Sequence, residues 1–143
     1  MSASFLARLM VTAVAAGQGI TPLFIDLNRT HATNPLWPGH ARFHVVWQTV
    51  GLFFLGVIGV TLIWLPSPES RLLFHLAALL TASPMLSFLV AMFSRKAYDG
   101  TLRDANGIQS VRIRIGTTVR EFDMNAVLVI AGMAVVLIAV LIF

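Results

Sequence analysis

The sequence predicts an all-α membrane protein, a bundle of four transmembrane helices with a short β-hairpin-like loop between the third and fourth helices. Three observations predict this fold class. Of the 143 residues, 57% are hydrophobic and 11% are charged, whereas soluble domains carry about 25% charged residues. The mean hydropathy is +0.84. Finally, four apolar stretches approach the length of about 20 residues that a helix needs to cross the hydrocarbon core of a bilayer.

The four predicted spans cover about residues 6–25, 45–65, 72–93 and 124–143. Each is expected to be helical because unpaired backbone groups are too costly in hydrocarbon. The first is expected to be a retained helix rather than a cleaved signal, since its apolar stretch continues to Ile25 and exceeds the apolar region of a signal peptide. We therefore predict a single membrane domain over residues 1–143, with two longer loops at 26–44 and 94–123.

The loop 94–123 is predicted to contain a short hairpin. Residues 111–115 alternate apolar with basic side chains, and a glycine and two threonines separate them from residues 119–122. Alternation with a period of two is typical of a half-exposed strand, and glycine favours the turn. Such a hairpin has an apolar and a charged face, and lying on lipid headgroups would satisfy both.

The distribution of basic residues predicts the orientation of the chain. All ten lysines and arginines except Arg8 and Arg71 fall in the two longer loops, at Arg29, Arg42, Arg95, Lys96, Arg103, Arg112, Arg114 and Arg120. Cytoplasmic loops are enriched in Lys and Arg, so both loops are expected in the cytoplasm and both termini outside. Anionic lipids explain the net charge of +4 more simply than a nucleic acid does, so no nucleic-acid partner is predicted.

The densest group of polar residues lies between the first two predicted helices. Three of the four histidines fall within residues 26–44, together with Asp26. His40 and His44 are four residues apart, so on a helix they share a face. His31 lies on the connecting segment and is expected to fold back over them.

Small residues predict how the first two helices pack. Gln48, Gly51, Leu55 and Gly59 continue the His40–His44 face into the membrane. The first helix presents Ala15 and Gly19 on the face that ends at Asp26. Small residues allow close approach of helices in membranes. We expect the two helices to pack through these faces and to bring Asp26 and the histidines together near the cytoplasmic surface.

Three chemistries fit this group of residues. In proton transfer, the candidate catalytic residues are His40, His44 and Asp26, because imidazole titrates near neutrality and a carboxylate can fix its tautomer. In recognition of the polar head of a small lipophilic ligand, the candidate binding residues are His31, Asn28, Asn34, Gln18, Gln48, Trp37 and Arg42. In metal binding, His40, His44, Asp26 and His31 are donors suited to zinc or iron. The sequence identifies no cofactor and leaves open whether a reaction is catalysed.

Two structural alternatives remain open. Histidine, arginine and tryptophan are common at membrane interfaces, where they anchor helices without chemistry. The chain could also be a non-catalytic accessory subunit, packing its apolar fourth helix against a partner membrane protein or a second copy. His75 lies near the opposite membrane surface and is expected to bond to a backbone carbonyl or a headgroup. The absence of cysteine excludes disulfides and thiolate chemistry.

The segment from His31 to His44 has the sequence His-Ala-Thr-Asn-Pro-Leu-Trp-Pro-Gly-His-Ala-Arg-Phe-His. It resembles the signature of an uncharacterised family of small four-helix integral membrane proteins. The resemblance covers residues 26–48 and implies the four-helix fold. It implies no activity.

Overall fold

The computed structural model describes residues 2–102 and 110–143 of the chain. It contains four helices that are long and apolar enough to cross a bilayer, which confirms the predicted fold class. Their bounds are α1 Ala3–Ile25, α2 Gly39–Trp64, α3 Ser70–Ser94 and α4 Met124–Ile142. Helix α2 begins six residues before the predicted start at residue 45, directly after Pro38, whose φ of −61° and ψ of 150° precede the first turn. His40 and His44 therefore lie inside the helix.

Between α3 and α4, a short 3-10 helix covers Arg95–Tyr98, and two antiparallel strands form the predicted hairpin, β1 Val111–Ile115 and β2 Thr118–Phe122. Gly116 has a φ of +61° in the turn, a conformation that glycine adopts without strain. Only Asp123 separates β2 from α4, and its side chain accepts a hydrogen bond from the Ala126 N–H. The hairpin is therefore tied to the end of a predicted membrane span. Arg103, one of the basic residues that predict the orientation, lies outside the described residues.

The large apolar side chains and the small ones lie on different sides of the helices, as expected for a bundle surrounded by lipid. Large apolar side chains point outward, and Phe24, Phe93 and Leu141 are each about three-quarters exposed. The buried residues of α1 are small and recur every four positions, at Ala7, Val11, Ala15 and Gly19. Helix α1 contacts each of the other three helices. An apolar surface of this extent is unfavourable in water, but lipid tails cover it without cost.

Helices α1 and α2 approach until their backbones touch. A Cβ atom added at Gly56 would lie 2.8 Å from the Ala15 carbonyl oxygen, and one added at Gly19 would lie 3.2 Å from the Leu52 carbonyl oxygen. A Cβ at Gly59 would be 3.7 Å from the Cβ of Ala15. The prediction of close packing through small residues is therefore confirmed at Ala15, Gly19 and Gly59.

The predicted packing face is wrong at Gly51, where an added Cβ would meet nothing within 4 Å. The buried positions of α2 are Thr49, Gly56, Gly59 and Ile63, whereas the predicted face followed Gln48, Gly51 and Leu55. The observed stripe is displaced by one residue, which is about 100° around a helix. Consequently His40, His44 and Gln48 are exposed rather than directed at α1.

Pro22 lies within α1 and Pro84 within α3. Near Pro84, polar side chains donate hydrogen bonds to backbone carbonyls. Pro84 in α3 has no N–H to offer the carbonyl of Leu80, and the hydroxyl of Ser83 donates to that oxygen at 3.0 Å. One residue further on, the Thr81 carbonyl accepts a hydrogen bond at 3.1 Å from Nε2 of Gln18 on α1. Gln18, a predicted ligand-binding residue, therefore links α1 to α3 inside the bundle.

The contact between α1 and α2 predicts that two matched substitutions in α2 affect the stability of the protein differently. Gly56→Ala places a methyl group against the Ala15 carbonyl and should destabilise the protein by about 1–3 kcal/mol through overpacking. Gly51→Ala enters open space and should be neutral or slightly stabilising, because alanine favours helix. Thermal unfolding of both variants in lipid nanodiscs checks the difference. Equal melting temperatures for the two variants would contradict the described contact.

Candidate functional site

The segment 26–38, which joins α1 to α2 and is named here the polar cap, is folded by its own backbone hydrogen bonds. The N–H of Ala32 donates to the Asp26 carbonyl at 2.9 Å, and that of Thr33 donates to the Asn28 carbonyl at 3.0 Å. Further along, the N–H of Trp37 donates to the Asn34 carbonyl at 3.2 Å. These turns give the polar cap a defined shape before any side chain contributes.

Two asparagines stabilise the polar cap through their amide groups. Nδ2 of Asn28 lies 2.8 Å from the Phe24 carbonyl oxygen and 3.1 Å from that of Ile25, so it caps carbonyls that the end of a helix leaves unpaired. Asn34 is 1% exposed. Its Nδ2 donates to the Thr30 carbonyl at 3.2 Å, and its Oδ1 accepts from the Leu36 N–H at 3.0 Å. Both predicted ligand-binding asparagines are thus engaged with the backbone.

Asp26 and His31 form a pair at the end of α1. Nδ1 of His31 lies 3.6 Å from Oδ1 of Asp26 and 2.7 Å from Oγ1 of Thr30. The ring packs edge-on against Trp37, with 5.2 Å between ring centroids. The side chains of His31 and Asp26 are 24% and 28% exposed, so water can reach them.

The contacts of Thr30 favour one tautomer of neutral His31. The Thr30 hydroxyl has one proton, and two oxygens are placed to accept it, the Ile25 carbonyl at 2.9 Å and Oδ1 of Asn28 at 2.7 Å. When the hydroxyl donates to one of these oxygens, its lone pairs are left to accept a hydrogen bond from His31, and we infer that Nδ1 of the neutral ring carries the proton. Nε2 of the neutral ring consequently keeps its lone pair and can accept a hydrogen bond or a proton.

Burial affects the charge of the pair. Desolvation raises the pKa of Asp26 above its ordinary value, and the attraction of His31 acts in the opposite direction. Because the raised direction prevails, the folded protein holds a proton on this carboxyl more readily than an unfolded chain does.

His40 and His44 form a second and separate pair. Their Nε2 atoms are 3.0 Å apart, and their ring centroids are 4.5 Å apart. Both side chains are exposed, as is Gln48 one turn further along α2. The ring of Trp47 lies 5.6 Å from that of His44. These residues face away from α1.

The single cluster expected from the sequence is therefore divided in two. Across residues 2–102 and 110–143, no hydrogen bond or ion pair joins Asp26 or His31 to His40 or His44. Within that described part of the chain, no three His, Asp or Glu side chains are grouped in a way that could hold a metal ion. Arg42 lies over the start of α2, with Nη2 4.0 Å from the position of a Cβ at Gly39.

Sequence reasoning did not identify Thr30 as part of the site. A signal was present, because an asparagine two residues before a threonine favours a side-chain-stabilised turn. At the other end of the bundle, His75 Nδ1 donates to the Arg71 carbonyl at 2.7 Å, as predicted for an interfacial histidine. Arg8 was also not identified: it donates to the Ile63 carbonyl and lies 5.5 Å from the centroid of the Phe143 ring.

Four apolar helices and a polar segment that joins the first two of them define a small polytopic membrane protein. The chain belongs to a family of unknown function, DUF6640, whose sequence profile matches residues 9–135. No curated protein and no solved structure matches the chain.

The raised pKa of Asp26 predicts how stability depends on pH. A carboxyl whose pKa is higher in the folded state stabilises the protein below the unfolded pKa, about 3.9, and loses that contribution as pH rises through the folded pKa. Asp26→Asn keeps a neutral group at all pH values, so it should raise the melting temperature at neutral pH and have little effect in acid. Thermal unfolding as a function of pH measures this.

Asp99→Asn is the matched control, because it removes a charge from an exposed carboxylate. If Asp26→Asn lowers the melting temperature at neutral pH, attraction to His31 outweighs desolvation and the sign of the argument is wrong.

Proposed function

We propose that the protein binds the polar head of a small lipophilic molecule at the Asp26–His31 pair, with His31 able to accept a proton from it. One observation carries the proposal: Thr30 engages Nδ1 of His31 at 2.7 Å, which leaves the Nε2 lone pair free on an accessible ring. A base held in one tautomer by a second residue is the usual arrangement for proton transfer by histidine.

The surroundings of the pair support a ligand with an apolar part. Phe24, at the end of α1, is 74% exposed, and Leu36, in the polar cap, is 82% exposed. The pair thus lies where apolar helix surface meets a polar segment. A molecule with a hydrocarbon tail and a polar head can place each part in a matching environment at such a boundary.

The charges of the pair favour particular head groups. Nε2 of neutral His31 is a hydrogen-bond acceptor, and the neighbouring carboxyl of Asp26 is anionic when it is deprotonated. A hydroxyl or an amine can donate a hydrogen bond to either group. A carboxylate cannot donate, and Asp26 would repel it. We therefore infer a hydroxyl-bearing or amine-bearing ligand rather than an acidic one.

Binding of simple probes tests this function. Dodecanol, dodecylamine and dodecanoate are titrated into the protein in lipid nanodiscs, and affinity is followed by calorimetry. Dodecylamine and dodecanol should bind more tightly than dodecanoate. His31→Ala should weaken binding of dodecylamine by about tenfold or more, because a hydrogen bond that involves a charged group contributes about 1.5–3 kcal/mol, and should weaken binding of dodecanol by less, because a neutral hydrogen bond contributes about 0.5–1.5 kcal/mol.

The matched control is His75→Ala, which removes an imidazole at the other end of the bundle and should leave probe binding unchanged. The melting temperature of His31→Ala shows whether the variant is folded. Equal affinity of parent and His31→Ala for all three probes would overturn the proposed function.

We also propose that the polar cap faces the cytoplasm, since the basic residues are concentrated in the two longer loops. The chain has no cysteine, so single cysteines can be labelled without background. Thr33→Cys should react with a membrane-impermeant maleimide only from the cytoplasmic side, and Ser67→Cys only from the outside. The reverse pattern would invert the orientation and leave the proposed ligand site unchanged.

A further inference from the structure

The histidine pair of α2 has a geometry that the proposed function does not use. His40 and His44 lie in the first two turns of α2, on its exposed side. Side chains four residues apart on a helix are neighbours. Here Nε2 of one ring lies 3.0 Å from Nε2 of the other, and the rings are inclined at 83°. The two Nε2 atoms, each of which can bind a metal ion when it is unprotonated, therefore lie within one small region outside the helix.

This arrangement matches the requirements of a metal ion. Zinc binds imidazole nitrogen at about 2.0–2.1 Å, and at a tetrahedral angle two such nitrogens lie about 3.3 Å apart. The observed separation of 3.0 Å differs from that value by a few tenths of an ångström, which a small rotation of the side chains supplies. The backbone of α2 need not move.

We propose that His40 and His44 form a two-imidazole clamp for a divalent transition-metal ion of the zinc class. Imidazole suits zinc, copper, nickel and iron, and not magnesium or calcium, which prefer oxygen donors. Both rings are exposed, so water occupies the remaining coordination positions. Asp26 and His31 do not belong to this site, which differs from the four-donor set expected from the sequence.

The charges around the clamp make it a site of moderate affinity. The amino-terminal end of a helix carries a partial positive charge, and no acidic residue lies in the first turn of α2. Arg42 is two residues from each histidine, so it projects about 200° around the helix from each of them. Two neutral donors without a carboxylate hold a divalent ion less tightly than a complete structural zinc site does.

Titration with metal ions tests the clamp. Zinc chloride is titrated into the full-length protein in nanodiscs of a zwitterionic lipid, and heat and stoichiometry are measured by calorimetry. One zinc ion should bind per chain, and magnesium chloride should give no comparable heat. His40→Ala and His44→Ala should each weaken zinc binding by about tenfold or more, because the second donor on the same helix acts at high effective concentration.

Two control variants distinguish zinc binding by the clamp from zinc binding by any histidine of the chain. His75→Ala should keep parental zinc affinity. The double variant His44→Ala/Val45→His keeps four histidines but moves one imidazole about 100° around the helix, so it should lose zinc affinity as His44→Ala does. Melting temperatures confirm that each variant is folded.

The proposal is overturned if the parent shows no zinc binding above the magnesium control. It is also overturned if the displaced variant binds zinc as tightly as the parent. In either case the 3.0 Å contact is a hydrogen bond between two neutral rings and no more. These residues do not overlap with Asp26 and His31, so failure here leaves the proposed function standing, and failure there leaves the clamp standing.

Discussion

The backbones of α1 and α2 meet at Gly19 and Gly56, where an added methyl group on either helix would approach a carbonyl oxygen within 3.2 Å or less. Lipid tails are as apolar as leucine, so burial of apolar surface does not drive helices together in a membrane, and close van der Waals packing must do so. The polar cap joins these two helices directly. It runs from Asp26, which ends α1, to Pro38, which precedes α2.

Unpaired backbone groups explain most of the remaining polar residues. In hydrocarbon every carbonyl needs a partner, and Ser83 and Gln18 supply donors near the Pro84 interruption. At the end of α1, the same need is met by Asn28 and Thr30. Although these side chains are engaged with the backbone, the imidazole of His31 and the carboxyl of Asp26 remain partly exposed.

The sequence predicted the elements of the fold because each element has its own signal. Apolar length predicts the spans, and alternation of apolar and basic residues predicts the hairpin. No comparable feature of the sequence predicts which side of α2 faces α1. Nearly all residues from Val50 to Ile63 are apolar, so polarity does not distinguish the lipid side from the interior, and glycines at Gly51, Gly56 and Gly59 point in different directions. A displacement of one residue was enough to turn His40 and His44 from the interior to the outer surface.

The orientation of polar residues at the membrane interface was also difficult to predict from the sequence. A polar face is expected to avoid lipid, and this reasoning directed His40 and His44 toward α1. At the start of a membrane helix, however, water and headgroups satisfy an imidazole, so it need not point inward. The grouping of Asp26 with His31 could be proposed from their spacing. The contact between Thr30 and Nδ1 could not, because it depends on the fold of the polar cap.

The proposed function depends on His31 being held in one orientation and one tautomer. Nitrogen-15 NMR of ring-labelled histidine in lipid bilayers measures this directly, since protonated and unprotonated ring nitrogens have well-separated chemical shifts. For the neutral ring of His31, assigned by comparison with His31→Ala, the account predicts a protonated Nδ1 and an unprotonated Nε2. Thr30→Val should remove the preference. A neutral His31 with its proton on Nε2, or an unchanged spectrum in Thr30→Val, would contradict it.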